Sequence, residues 1–222
     1  KDLEDFWLEV SESSTQIIPD LWMYEWDSYN KEYLFKKISS ASVNAAIFGV
    51  PKMFVPRWQW GNSSSLIRKM DDGSYFDPKN WTYIYDHSPL EKTLEKYIDY
   101  KKLNLAAREE EKPNVLRLIM TAVNVMTGKP LVFDNTLTEI KAEHILACSG
   151  YPIYGFPWVE VEDNVYGWDG SLLSNTPIRE VLFVSPRNDK NIFIVENYPQ
   201  KIDRLPTNMV EVISRYKDIL FC

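Results

Sequence analysis

Gly155-Phe156-Pro157 and, after a polar interval, Val165-Tyr166-Gly167-Trp168-Asp169-Gly170-Ser171-Leu172-Leu173-Ser174-Asn175-Thr176-Pro177 form the most informative part of this chain. Val165 to Trp168 reads as a short apolar strand that delivers one carboxylate, Asp169. Gly170 has no Cβ and lets the backbone turn tightly behind that carboxylate, and an Asn-Thr-Pro loop follows. That setting would suit a general base. Trp168 beside it is expected to exclude water, and a carboxylate shielded from water is the stronger base. An Asp-Gly pair alone is a common turn signal, so the weight of the reading rests on its surroundings.

Outward from this turn, helices alternate with apolar strands. Residues 1–10 read as a helix, followed by a polar Ser-rich joint at 11–15 and an extended segment ending near Trp26. A second helix is expected over about 31–48, closed by Gly49 and Pro51. Ser88-Pro89-Leu90-Glu91 carries the marks of a helix start, with Ser88 as cap and Pro89 in the first turn. Val115 to Val125 is almost continuously apolar, as a strand buried on both faces should be. A turn at Thr127-Gly128-Lys129 leads to Leu131-Val132-Phe133. A short helix over about 141–148 stops at Gly150, strands are expected at 165–168, 179–184 and 191–195, and a last helix over 207–220 is capped by Thr207. The alternation predicts an α/β fold with helices on both faces of a sheet.

Residues 50–84 hold Met53, Phe54, Trp58, Trp60, Tyr75, Phe76, Trp81 and Tyr83 among Pro, Gly, Asn and Ser, with no sustained period. This segment is a long aromatic loop or lid. Its aromatics either pack back on the core or form a substrate entrance, in which Phe54, Trp58 and Trp60 flank Arg57.

Composition narrows the function. A chain of 222 residues with 45% hydrophobic content can bury a real core. A net charge of -7 argues against a polyanion-binding protein, so nucleic acid is not an expected partner. Two cysteines, Cys148 and Cys222, imply no disulfide framework and a reducing compartment. No window approaches the ~18 apolar residues of a membrane span, and no signal peptide opens the chain. The expected location is the cytoplasm, with at most transient contact to a membrane surface. The two histidines, His87 and His144, lie far apart without metal-ligand spacing and read as packing or capping residues, so neither metal nor cofactor is expected. The chain begins at Lys1 inside an amphipathic run, which suggests a fragment, a processed chain or missing upstream residues.

Leu3 to Val10, Val43 to Arg57, Tyr85 to Leu90, Thr121 to Gly128, Phe133-Asp134-Asn135-Thr136, Glu143-His144-Ile145, Ser149 to Val159 and Tyr166 to Pro177 resemble, in order, the landmarks of patatin-like phospholipases of a bacterial or archaeal subfamily with a C-terminal extension. The resemblance implies a three-layer α/β/α sandwich around a mostly parallel sheet. It implies a domain over 1–186 and an extension over 187–222. It also implies hydrolysis of lipid acyl esters, of the phospholipase A or lysophospholipase kind, by a Ser-Asp dyad with Asp169 as base and Gly170 supporting the turn.

The family's Gly-rich oxyanion loop and Gly-x-Ser-x-Gly nucleophile turn precede the point where this chain begins. On that reading the N-terminal strands are absent, the 222 residues alone are inactive, and the missing segment or a second copy covers the exposed sheet edge. Within the chain, Gly61-Asn62-Ser63-Ser64-Ser65 lacks the closing Gly of a nucleophile turn. Asp72-Gly73-Ser74 reads as a simple turn, and Ser149 as a capping hydroxyl. Position 171 is Ser where the family often has Gly or Ala. Two other functions fit the same fold: a non-catalytic lipid-binding or interaction module, and a general carboxylesterase or thioesterase.

Overall fold

The computed structural model describes residues 2–15, 45–58, 78–108, 117–184, 192–195 and 198–221. Its centre is a four-stranded sheet in the order β4-β3-β6-β5, built from β3 (Ile119–Asn124), β4 (Pro130–Asp134), β5 (Val159–Glu162) and β6 (Val165–Asp169). A separate two-stranded ribbon pairs β1 (Val55–Pro56) with β2 (Tyr85–Asp86). The helices are α1 (Asp2–Thr15), α2 (Ser88–Tyr97), α3 (Tyr100–Arg108), α4 (Ala142–Ser149), α5 (Ile178–Val184) and α6 (Met209–Phe221).

The α/β class expected from the alternation holds. Among the described strands, however, every pairing is antiparallel. Two of the contacts are local hairpins, β3 to β4 through the turn at Thr127-Gly128 and β5 to β6 through Asp163-Asn164, and a short connection can only reverse the chain. Asn124 closes the first turn by accepting at its side-chain oxygen from the N–H groups of Met126 and Thr127.

α4 lies across the sheet because its apolar residues recur on one face. Ala147 packs with Ala122, Phe133 and Ile140 into the main core, to which Leu103, Leu131 and Val159 add partly buried surface. A second cluster of Leu90, Leu94 and Leu146 joins α2 to α4, with Phe6 of α1 on its edge. Glu9 ties α1 to this layer by accepting from Lys52, Lys96 and Tyr97. Those bonds, Lys52 first, hold its carboxyl at about 2.

Asn104 of α3 clamps the buried Ile140 backbone: its Nδ2 donates to the Ile140 carbonyl and its Oδ1 accepts from the Ile140 N–H, both at 2.9 Å. Arg117 grips Asp134 through Nε and Nη2. Burial pulls the Asp134 carboxyl upward, but Arg117 and Thr136 together hold it below its ordinary value. Asn135 accepts from the Leu118 N–H and donates to the Leu103 carbonyl. The Phe133-Asp134-Asn135-Thr136 landmark is thus a structural latch between β4, α3 and the entry to β3.

Several local expectations change. α1 runs through the Ser-rich stretch to Thr15, and within it Ser11 Oγ donates back to the Leu8 carbonyl at 2.9 Å. The segment expected as a strand at 179–184 is the helix α5; Pro177 just ahead presets the backbone for a first helical turn. Residues 192–195 have no regular structure. Of the apolar run expected as a strand, the described part from 117 onward is strand over Ile119–Asn124, buried at Ala122 and Val123 and only half-buried elsewhere. Strand β5 and helix α3 were not foreseen.

Caps also shift by one residue. His87 precedes α2, and the Asp86 carboxylate accepts from the Ser88 N–H at 3.0 Å. At α6, Asn208 Oδ1 accepts from the Glu211 N–H while Glu211 reaches back to the Thr207 N–H and hydroxyl. Gly49, at φ +75°, ends the helical turn over 45–48 as expected. The rest of the helix expected over 31–48, and the extended segment before it, fall outside the described residues.

Candidate active site

Asp169 ends β6 and is held from two sides. Its strand pairs with β3, with Asp169 opposite Ala122. Its N–H donates to the carbonyl of Gly150, the residue that terminates α4, at 3.2 Å. A 3-10 turn over Gly170–Leu172 follows at once. The turn presses so closely on β3 that a Cβ at position 170 would lie 2.5 Å from both the carbonyl oxygen and the hydroxyl of Thr121. Glycine is required there by space.

The carboxylate itself is oriented by one residue. Ser171 donates its N–H at 2.9 Å and its hydroxyl at 2.7 Å, and both bonds land on Asp169 Oδ1. No described residue donates to Oδ2. Ser171, which the sequence marked only as a departure from the family pattern, is therefore part of the carboxylate's setting.

Trp168 does not shield the carboxylate as expected. Neighbouring residues of a strand point to opposite faces, and Trp168 meets Trp158 edge-on at 6.1 Å. Cys148 and Tyr151 are instead near enough to feel the Asp169 charge. Burial, aided by that charge, pushes the Cys148 thiol up to about 12 and raises the Tyr151 phenol. Both are neutral at pH 7.

The residues expected to form a substrate entrance have other engagements. Phe54 sits edge-on between Tyr85 and Phe156, at 5.3 Å from each ring. The Arg57 guanidinium stacks on Tyr83 at 4.7 Å and on Trp81 at 5.1 Å. Trp58 is 43% exposed and donates its indole N–H to the Ile47 carbonyl at 3.2 Å. Trp60 lies outside the described residues, as do the serines at 63–65 and the Asp72-Gly73-Ser74 turn.

The aromatic cluster reaches the Asp169 turn indirectly. His87 stacks on Phe156 at 5.8 Å, and its ring edge lies against Gly150, whose carbonyl receives the Asp169 N–H. Burial drives the His87 pKa down to about 4 despite the nearby Asp86. His144 is a capping residue: its Nδ1 accepts from the Lys141 N–H at 2.9 Å, which the imidazolium could not do, and burial lowers its pKa. Ser149 donates to the Leu146 carbonyl at 3.1 Å, a role inside the last turn of α4. Among the described residues no cluster of His, Cys, Asp or Glu could hold a metal ion, and no helix is long and apolar enough to cross a membrane.

The C-terminal helix docks beside the Asp169 turn. Buried Phe221 stacks edge-on with Tyr151 at 5.2 Å, and its carbonyl accepts from Asn175 Nδ2. Arg215 donates to the Pro199 and Gln200 carbonyls, both at 2.7 Å, and so fastens the preceding loop to the helix.

No curated protein and no solved structure matches the chain. The family model of patatin-like phospholipases matches residues 1–182, a stretch that takes in the latch at Asp134, the whole central sheet and the Asp169 turn. With the match covering most of the molecule and every strand of its sheet, the chain belongs to the patatin-like phospholipase family.

Proposed function

We propose that this chain is the larger part of a lipid acyl-ester hydrolase in which Asp169 is the general base of a Ser-Asp dyad. The family acts on lipid esters; the assignment of the dyad rests on the carboxylate. Oδ1 is occupied by both donors of Ser171, while no described residue donates to Oδ2. That leaves one oxygen of an oriented carboxylate to receive a proton, which is the observation that carries the reading.

In this mechanism a serine hydroxyl from outside these 222 residues donates to Asp169 Oδ2. The serine oxygen attacks the ester carbonyl as its proton moves to the carboxylate. Collapse of the tetrahedral intermediate breaks the bond to the alcohol, which leaves with that proton. A water then gives its proton to Asp169 and attacks the acyl-serine; as the acyl bond breaks, Asp169 returns that proton to the serine oxygen and the fatty acid is released. The histidines support a dyad over a triad, since burial in an aromatic stack makes His87 a weak base, with its pKa down to about 4, and His144 Nδ1 is committed to a helix cap.

The test uses the complete protein. Wild type, Asp169→Asn and Asp169→Ala are compared on 4-nitrophenyl esters and on a phosphatidylcholine, with a fluorophosphonate probe to mark the activated serine. Loss of at least a thousandfold in kcat, with serine labelling slowed in parallel, is expected, in line with removal of a dyad member. Undiminished hydrolysis in Asp169→Ala would overturn the assignment. A protein that hydrolyses nothing yet binds lipid would be the non-catalytic module, and one indifferent to acyl-chain length a general esterase.

A further inference from the structure

A cleft of about 450 Å³ opens directly beside the Asp169 turn. One wall is the segment from Ser171 to Ile178; the other comes from Ile194 and from Leu220 of α6. Both of these last residues lie beyond the 1–182 stretch that the family model matches. We propose that this cleft receives the acyl chain of the ester substrate, and that Ile194 and Leu220 set the chain length it accepts. The proposal rests on the hydrolase reading for the identity of the substrate, and it adds the part of the molecule that selects the substrate.

Four observations carry it. First, the cleft begins at the chemistry, because Ser171 both lines it and donates to Asp169 Oδ1 at 2.7 Å. Second, among the described residues no Lys, Arg, Asp or Glu lines it, and the Tyr151 phenol is neutral at pH 7, its pKa raised further by burial. A phosphate head group would find no cation among those residues, whereas an uncharged chain meets the aliphatic wall of Leu172, Leu173, Ile194 and Leu220, with Ser174, Asn175 and Thr176 keeping part of the lining polar.

Third, its aliphatic side chains are exposed: Leu173 is 55% exposed, Ile194 48% and Leu220 41%. Burying such surface against a hydrocarbon is the usual source of affinity for apolar ligands. The volume falls in the range of small-molecule sites. Fourth, the far wall is fastened in place. Phe221, next to Leu220, is buried against Tyr151 and accepts at its carbonyl from Asn175, a residue of the opposite wall.

The experiment is a chain-length series of 4-nitrophenyl esters, from acetate to dodecanoate, on the complete protein. The variants are Ile194→Trp and Leu220→Trp, which fill the cleft, and Leu205→Trp, an exposed position of the same segment outside the cleft. In wild type, kcat/KM is expected to rise by about fourfold per methylene until the cleft is full. The ratio of kcat/KM for the dodecanoate over the acetate ester is expected to fall at least tenfold in Ile194→Trp and in Leu220→Trp, and to stay at the wild-type value in Leu205→Trp.

Binding of a fluorescent fatty acid to the same four proteins reads the cleft without turnover. Weakened binding in both cleft variants supports the proposal even if no ester is hydrolysed, an outcome that removes only the hydrolase reading. Asp169-dependent hydrolysis with chain-length profiles and fatty-acid affinities unchanged in both cleft variants overturns the proposal and leaves the hydrolase reading standing.

Discussion

Ser171 holds Asp169 by a double grip on a single oxygen: its N–H at 2.9 Å and its hydroxyl at 2.7 Å both donate to Oδ1. A carboxylate on a single bond axis can rotate, and a base must present one lone pair along one direction. The grip turns a strand-end aspartate into an oriented group.

Removing the hydroxyl while keeping the N–H should loosen that orientation. Ser171→Ala is expected to lower kcat by about fivefold to tenfold, corresponding to one hydrogen bond of about 1 kcal/mol, with a smaller change in KM. Ser171→Thr, which retains the hydroxyl, should restore most of the rate. Steady-state kinetics on a short-chain ester distinguishes the two; equal kcat in all three proteins would mean the second donor is redundant.

Gly170 is a matter of space. A Cβ there would meet the Thr121 carbonyl and hydroxyl at 2.5 Å, and a backbone oxygen in a sheet cannot swing aside as a flexible side chain can. Gly170→Ala should therefore destabilise the fold by about 1–3 kcal/mol. The urea midpoint reports it, and a variant as stable as wild type would mean the turn is not packed on β3 in solution.

His87 makes stability depend on pH above the acid range. Its pKa is about 4 in the fold, through burial, and about 6.5 in an unfolded chain. The unfolded state thus takes up a proton that the folded state refuses. The stabilisation is complete above pH ~6.5, declines as pH falls, and is gone once pH passes below the folded value, a total of roughly 3 kcal/mol at most. Glu9, whose carboxyl is held at about 2, contributes to that pH dependence only as pH falls through its ordinary value of 4.5, which leaves the span from pH 7.5 to 5 to His87. Urea midpoints at pH 7.5, 6 and 5 should fall in wild type and flatten in His87→Phe; parallel curves would remove His87 as the cause.

The Asn104 clamp supplies both partners of a peptide group that has no water to turn to, since Ile140 is fully buried. Asn104→Ala orphans an N–H and a carbonyl together, at an expected cost of about 2–4 kcal/mol. Asn104→Asp keeps the acceptor but sets a buried carboxylate oxygen against the Ile140 carbonyl, and should cost at least as much as alanine at pH 7. A thermal melt of the three proteins gives the order.

The Asp169 turn was legible because its signals are local. A Gly beside a strand-end carboxylate, a Gly ending α4 and a Pro-preceded helix start each act over a few residues, through backbone conformations that side chains restrict. The histidines were legible for a related reason. Two isolated imidazoles without a neighbouring ligand set are best used by the fold itself, and His144 is a helix cap. Where local signals conflict, the reading failed. The Val-Leu-Phe-Val run of α5 has the composition of a strand, and contacts around it decide between the two forms.

Residue identity along the chain was enough to mark the α/β class and the family, and to single out Asp169 as a candidate, since these depend on short-range patterns. Folding decided the rest. That Asn104 answers Ile140, that Arg117 answers Asp134, that Phe54 and Arg57 are taken up in aromatic packing, and that Leu220 stands across a cleft from Ser171 are pairings between distant positions. Such pairings form because burial leaves each polar group a single remaining partner and each apolar side chain a single remaining gap, a selection that operates only once the layers have closed.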